Sequence, residues 1–253
     1  AIANSIVLTA ISSIIVMFLA TVLARPLLVL LKTPESILNW CTSYLRILFL
    51  GVSGLAFYNI LSGILRGLGY SISTLVYLIV SSVLNIALDL LFVIKFDMGV
   101  SGVALATVIA QAISAVLCLL KLMRMKELFD FKAQYFRLTN RHGMNIIRLG
   151  VPSGVTQAIM SMAMLVVQSL TNSFGEQFIA SNVIVMRVDG FAMLPNFSFG
   201  TAMTTYAGQN VGARAYDRVA KGAKQGTLMA VGFSAAITGL ILIFGRHLMA
   251  IFT

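Results

Sequence analysis

Asn85 and Asp89 stand four residues apart inside an otherwise apolar run, SSVLNIALDLLFVI at 81–94. Positions i and i+4 share one face of a helix, so the amide and the acid form a single polar patch. An aspartate at mid-membrane costs about 2.5–3.5 kcal/mol on insertion scales, and such residues mostly face a cavity or the bundle interior. The next apolar run, GVSGVALATVIAQ at 99–111, repeats the spacing with Thr107 and Gln111. Carboxylate, amide carbonyl and hydroxyl are hard oxygen donors, which makes Asp89, Asn85 and Thr107 a candidate Na⁺ site. An acid in apolar surroundings can instead take up and release a proton. The bland alternative is interhelical hydrogen bonding, worth about 0.6 kcal/mol per pair.

A second charged pair lies in VMRVDGFAMLPN at 185–196. Arg187 and Asp189 point roughly 200° apart on a helix and cannot pair directly. Asp189 is a candidate for a cationic substrate or for coupling, and Arg187 for structural pairing on another helix. Pro195 removes a backbone donor and is expected to kink its helix. In GQNVGARAYDRVAKG at 208–222 the glycines suggest a tight exit, with Arg214, Arg218 and Lys221 facing anionic headgroups. A phosphate-binding loop is excluded there, because G-x-x-x-x-G-K-[ST] is missing. Gly63 and Gly67, at GxxxG spacing, suggest close helix packing.

These residues need elements that cross a membrane. Of 253 residues 59% are hydrophobic and only 10% are charged, with mean hydropathy +0.96. A soluble domain carries about a quarter charged residues. Apolar runs of about twenty residues recur, each long enough for a hydrocarbon layer of roughly 30 Å. The fold class is therefore all-α and polytopic. The formal charge of +10 belongs to cytoplasmic loops rather than to a nucleic-acid surface. Cys41 and Cys118 fall near opposite membrane faces and form no disulfide. The opening AIANSIVLTA has neither a charged n-region nor a cleavage site, so it reads as the middle of a longer chain.

Seven spans follow from periodicity and length: 2–24, 38–61, 72–94, 100–120, 150–173, 178–205 and 226–245. The polar segment between the fourth and fifth holds seven Lys and Arg against Glu127 and Asp130, and the positive-inside rule makes it cytoplasmic. Counting crossings from there puts twelve basic residues inside and four outside, with Arg46 and Arg187 within spans. Residues 1–32 and 222–253 align at a shift of 221, pairing Arg25 with Arg246, Leu27 with Leu248, Leu19 with Leu240 and Ser13 with Ser234. Six spans separate the two starts, so the repeat is parallel, one of the two transporter plans. A unit of six helices implies about twelve in a complete protein.

RGLG at 66–69, NIALD at 85–89, GVSGVALAT at 99–107, LGVPSG at 149–154, MLPN at 193–196 and GQNVGARAYDRV at 208–219 occur in the order and spacing of one family. Together they resemble the multidrug and toxic compound extrusion (MATE) family, over essentially the whole chain. The resemblance implies a MATE/MOP-type helical bundle of two six-helix halves, with this chain covering about helices 3 to 9. Residues 1–120 would belong to the amino-terminal lobe, 121–148 to a cytoplasmic inter-lobe loop, and 149–253 to part of the carboxy-terminal lobe. In the family's amino-terminal lobe an Asn and an Asp on the fifth helix and a Thr on the sixth contribute to a cation or proton site. Asn85, Asp89 and Thr107 match them, and the companion acid on the first helix would lie outside this chain. The NorM-like branch carries a glutamate eight residues after the proline of the seventh helix, where this chain has Met160. That departure favours a DinF-like arrangement with coupling in the amino-terminal lobe. Gln157, Met160, Gln111 and Asp189 are then candidates for lining the substrate cavity.

The expected function is secondary export of amphipathic, often cationic, small molecules in exchange for H⁺ or Na⁺, by alternating access in the inner membrane. No catalytic residue and no cofactor besides the coupling ion are expected, nor any nucleic acid, and the expected state is a monomer in the lipid bilayer. A lipid-linked oligosaccharide flippase of the same superfamily would need a cavity rich in Arg and Lys, and only Arg46 and Arg187 lie within spans. An integral membrane enzyme would need clustered His, Asp or Glu at one face, whereas His142 and His247 fall on opposite faces.

Overall fold

The computed structural model describes residues 2–31, 33–125 and 140–250. Contacts divide the chain into two units, Ala1–Leu149 and Gly150–Thr253. The described residues are helical throughout both, as a bilayer demands of a chain that must satisfy its own backbone.

The first unit holds α1 (Ile2–Leu30), α2 (Glu35–Leu50), α3 (Val52–Gly67), α4 (Ser71–Leu90), a π-helical turn (Leu91–Lys95) and α5 (Gly99–Arg124). Helix α5 is the centre: it packs on α2, α3 and α4, while α1 packs on α2 and α3. Small residues let neighbours approach it, and Gly102, Ala104, Ala106, Ala110, Ser114 and Ala115 are all buried. An apolar core closes one end of this unit. Leu61 and Leu65 from α3 meet Cys118 and Leu122 from α5, with Ile2, Ile6 and Tyr77 against them. At the same end, Lys121 Nζ lies 5.2 Å from the centre of the Tyr70 ring. Cys41 and Cys118 are both free thiols.

The second expected span, 38–61, is two helices rather than one. α2 and α3 meet at 41° around Gly51. A neighbouring helix, α5, passes close at this point. A Cβ on Gly51 would collide with the Val108 side chain, and one on Gly54 would lie 3.2 Å from the Ala112 backbone nitrogen. The close approach expected of Gly63 and Gly67 is thus made by Gly51 and Gly54. A Cβ on Gly67 would have nothing within 4 Å, and one on Gly63 only the Arg66 guanidinium at 4.0 Å.

Helix α6 (Asn140–Asn172) leads from the first unit into the second, which continues with α7 (Glu176–Gly212) and α8 (Tyr216–Ala250). The polar segment between the fourth and fifth spans is shorter than its composition suggests. α5 continues through Lys121 and Arg124, cations placed where the helix C-terminus favours them. α6 already begins at Asn140, and the core of that segment, 126–139, lies outside the described residues. α7 and α8 form an antiparallel hairpin. Tyr206 fills the space left by Gly222, and Met203 the space left by Gly226. The Tyr206 hydroxyl donates to the Arg218 carbonyl at 3.0 Å, and Phe199 meets Phe233 edge-on at 6.1 Å. The turn between them is tight, but its left-handed residue is Arg214 (φ +57°) rather than a glycine. α7 remains one continuous helix across Pro195.

Large apolar side chains cover the outside of both units, Ile72, Leu149 and Leu242 among them. Such a surface suits lipid rather than water. Among the described residues five helices are long and apolar enough to cross a membrane, and the bent α2–α3 pair makes a sixth. The chain is a multi-pass membrane protein. The described part of α7, with Asn182, Arg187, Asp189 and Asn196 in it, falls short of the same apolar standard.

Candidate functional site

Tyr77, Ser81, Asn85 and Asp89 follow one another at i+4 intervals along α4, a slanting row on one side of the helix. That row faces α5. Ser114 Oγ donates to the Tyr77 carbonyl at 3.2 Å. One turn on, Ser81 Oγ donates to the Ala110 carbonyl at 2.8 Å, and this bond is buried. One turn further, Asn85 Nδ2 donates to Thr107 Oγ1 at 3.5 Å. The Thr107 hydroxyl itself donates to the Val103 carbonyl, one turn back along its own helix, at 3.0 Å. The two helices are therefore tied three times in an antiparallel register, always on the same row.

Asp89 is the fourth position of the row. Its Oδ1 is buried and has no hydrogen-bond partner among the described residues. A buried carboxylate oxygen without a donor is costly while it stays charged and bare. Asn85 stands one turn away on the same row, its amide nitrogen directed at Thr107. One residue, Leu90, separates Asp89 from the π-helical turn, where Phe96 N–H reaches the Leu91 carbonyl at 3.2 Å in the wide i+5 pattern. Single π turns inside helices occur often at functional sites. Beyond it the chain reverses through Asp97 (φ +50°) and Gly99 (φ +54°) into α5.

Asn85, Asp89 and Thr107 are thus brought together, each partly buried. Gln111, one turn beyond Thr107 on α5, is also partly buried. The remaining candidates belong to the second unit. Gln157 and Met160 are exposed on α6, and Arg187 and Asp189 are exposed on α7. Among the described residues α6 makes no close approach to α7 or α8, so Gln157 and Met160 are not assembled with Asp189. A side-chain tie in that unit joins two residues outside the sequence-predicted candidates. Ser234 Oγ on α8 donates to Asn196 Oδ1 on α7 at 2.8 Å. Ser81 and Ser114 were passed over as well. The signal for Ser81 was present, since it continues the i+4 spacing of Asn85 and Asp89 by one turn.

The MatE family model matches residues 1–91 and 152–253. The chain belongs to the MatE family. The match includes α4 with Asn85 and Asp89 and most of α6 through α8. The chain is 33% identical to the probable multidrug resistance protein YpnP of Bacillus subtilis, over 91% of its own length and 51% of that protein. It is 26% identical to DNA damage-inducible protein F of Escherichia coli, over 91% of its length and 53% of that protein. The chain spans about half the length of the curated relatives it matches. Its fold superposes on an outward-facing structure of a multidrug resistance MATE family transporter of the MOP superfamily, with a TM-score of 0.91 at 23% identity. That superposition covers 100% of this chain and 56% of the other.

Proposed function

We propose that the chain works in a secondary multidrug exporter, in which Asp89, with Asn85 and Thr107, takes up the coupling ion. One observation carries the reading: the buried, unpartnered Oδ1 of Asp89, one turn from an amide held by Thr107. Relatives named for multidrug resistance support the transport class, and the MatE match supports the family plan. On this reading residues 1–120 form part of an amino-terminal lobe and 149–253 part of a carboxy-terminal lobe. The Met160 position argues for a DinF-like arrangement, with coupling in the amino-terminal lobe. Substrates are amphipathic and often cationic small molecules, held by cavity groups such as Gln111, Gln157, Met160 and Asp189. The transporter works as a monomer in the inner membrane with H⁺ or Na⁺ as its only cofactor.

The mechanism follows from differential binding. An ion shifts a two-state equilibrium only if it binds the two states unequally. Loading Asp89 removes a bare buried charge from between α4 and α5 and so favours the packing that encloses it. Release of the ion restores the charge and favours the packing that wets it. The flippase alternative needs basic cavity walls, whereas Arg46 and Arg187 are both exposed on their helices.

Asp89→Asn keeps the size and loses the charge. In inverted vesicles carrying the full gene product, efflux of ethidium driven by an imposed pH or Na⁺ gradient should fall to the background of empty vesicles. Unchanged ion-driven efflux would falsify the coupling role.

A further inference from the structure

The row on α4 contains more than the three residues assigned to the ion. Ser81 is buried, its hydroxyl crosses to the α5 backbone at 2.8 Å, and Ser114 crosses in the opposite direction at 3.2 Å. Both bonds end on main-chain carbonyls, of Ala110 and Tyr77, so each ties one side chain to the other helix's backbone rather than to a rotatable group. They fall on the two turns below Asn85. The helices are held closely along this stretch, where Ala110 and Ser114 are themselves buried. On the other side of Asn85 the contact changes kind. Asp89 has no tie through Oδ1 among the described residues, and the π turn that follows meets α5 by packing, with Phe92 against Gly102. The hydrogen-bonded part of the row therefore fixes the depth and rotation of α4 against α5, and the acid stands beyond it.

We infer that Ser81 and Ser114 are positioning residues for the ion site: they lock the register of α4 on α5, so that Asp89 and Asn85 stay at a fixed separation from Thr107. This rests on the coupling role of Asp89. In the transport cycle α4 and α5 then move as one body. A slip of α4 by even part of a turn would carry Asn85 away from Thr107, because a 3.5 Å bond is already at the limit of reach.

The test compares Ser81→Ala, Ser114→Ala, Ser81→Thr and Asp89→Asn in inverted vesicles of the full gene product. Ethidium export into the vesicle lumen is followed against lumenal Na⁺ at constant pH, and against lumenal pH without Na⁺. The ion concentration giving half-maximal efflux should rise roughly threefold to tenfold in Ser81→Ala, less in Ser114→Ala, and return toward the parent value in Ser81→Thr. A purely structural role would change the amount of protein and its melting temperature while leaving that concentration unmoved, and this outcome overturns the inference. Should Ser81→Ala not accumulate, Ser81→Cys, similar in size with a weak donor, decides by the same measurement. The two failures are separable. Ion dependence that survives in Asp89→Asn removes the coupling role and this inference together. Ion dependence lost in Asp89→Asn but unshifted in both alanine variants removes the positioning role alone.

Discussion

Thr107 donates its proton to the Val103 carbonyl, so its oxygen meets Asn85 as an acceptor and sets the direction of the amide. Its contribution is one long interhelical bond, and such bonds average about 0.6 kcal/mol in a membrane, a factor of about three. Thr107→Val should therefore weaken apparent ion affinity about threefold in flux assays and leave coupling intact, with Thr107→Ser near the parent. A loss as complete as that expected of Asp89→Asn would mean that Thr107 contributes far more to the ion site than this one bond. Asn85, Asp89 and Thr107 were legible in the sequence because an acid and an amide in an apolar run are costly and rarely accidental. Ser81 was legible only through its i+4 spacing from Asn85, and Ser114 not at all, since a serine in a membrane helix usually bonds to its own preceding turn. Ser82 does so, donating to the Leu78 carbonyl at 2.9 Å. Only the packing of α5 separates the two kinds.

At the scale of elements, the contacts of α5 decide what the apolar pattern leaves open. Residues 38–61 read as one span because the run is predominantly apolar and glycine is common in membrane helices. The break at Gly51 lies where Val108 and Ala112 of another helix approach, and no periodicity within α2 and α3 records it. In the same way α5 and α6 outrun their expected spans, since a helix can continue past the hydrocarbon layer on polar residues. The glycines give a contrast that can be measured. Gly54→Val places bulk against the Ala112 backbone and should cost about 1–3 kcal/mol, read as a lower melting temperature in detergent. Gly67→Ala meets nothing within 4 Å and should be neutral or stabilise by up to about 1 kcal/mol, as alanine does over glycine in a helix. Equal effects at the two sites would mean that α3 does not approach α5 as closely as Gly54 implies.

The whole molecule turns on how many times it crosses the membrane, and α7 decides that. Its 37 residues could span at about 1.5 Å each, yet its described part is less apolar than the other long helices. Two arguments favour a crossing. The charge count puts Arg214, Arg218, Lys221 and Lys224 on the same side as the basic segment between α5 and α6 only if α7 spans. The parallel repeat of 1–32 and 222–253 also needs an even number of crossings between its copies. Arg187 and Asp189 are then acceptable within a span because such residues face a cavity or other helices rather than lipid. Lys95 and Lys221 give the discriminating pair, with Cys41 and Cys118 first replaced by serine. If α7 crosses, an impermeant maleimide added to intact cells should label Lys95→Cys and not Lys221→Cys, and permeabilised cells should label both. If α7 lies short of a crossing, both sites face outward and both label in intact cells. That result would place four basic residues on the outer side and remove both the orientation and the repeat.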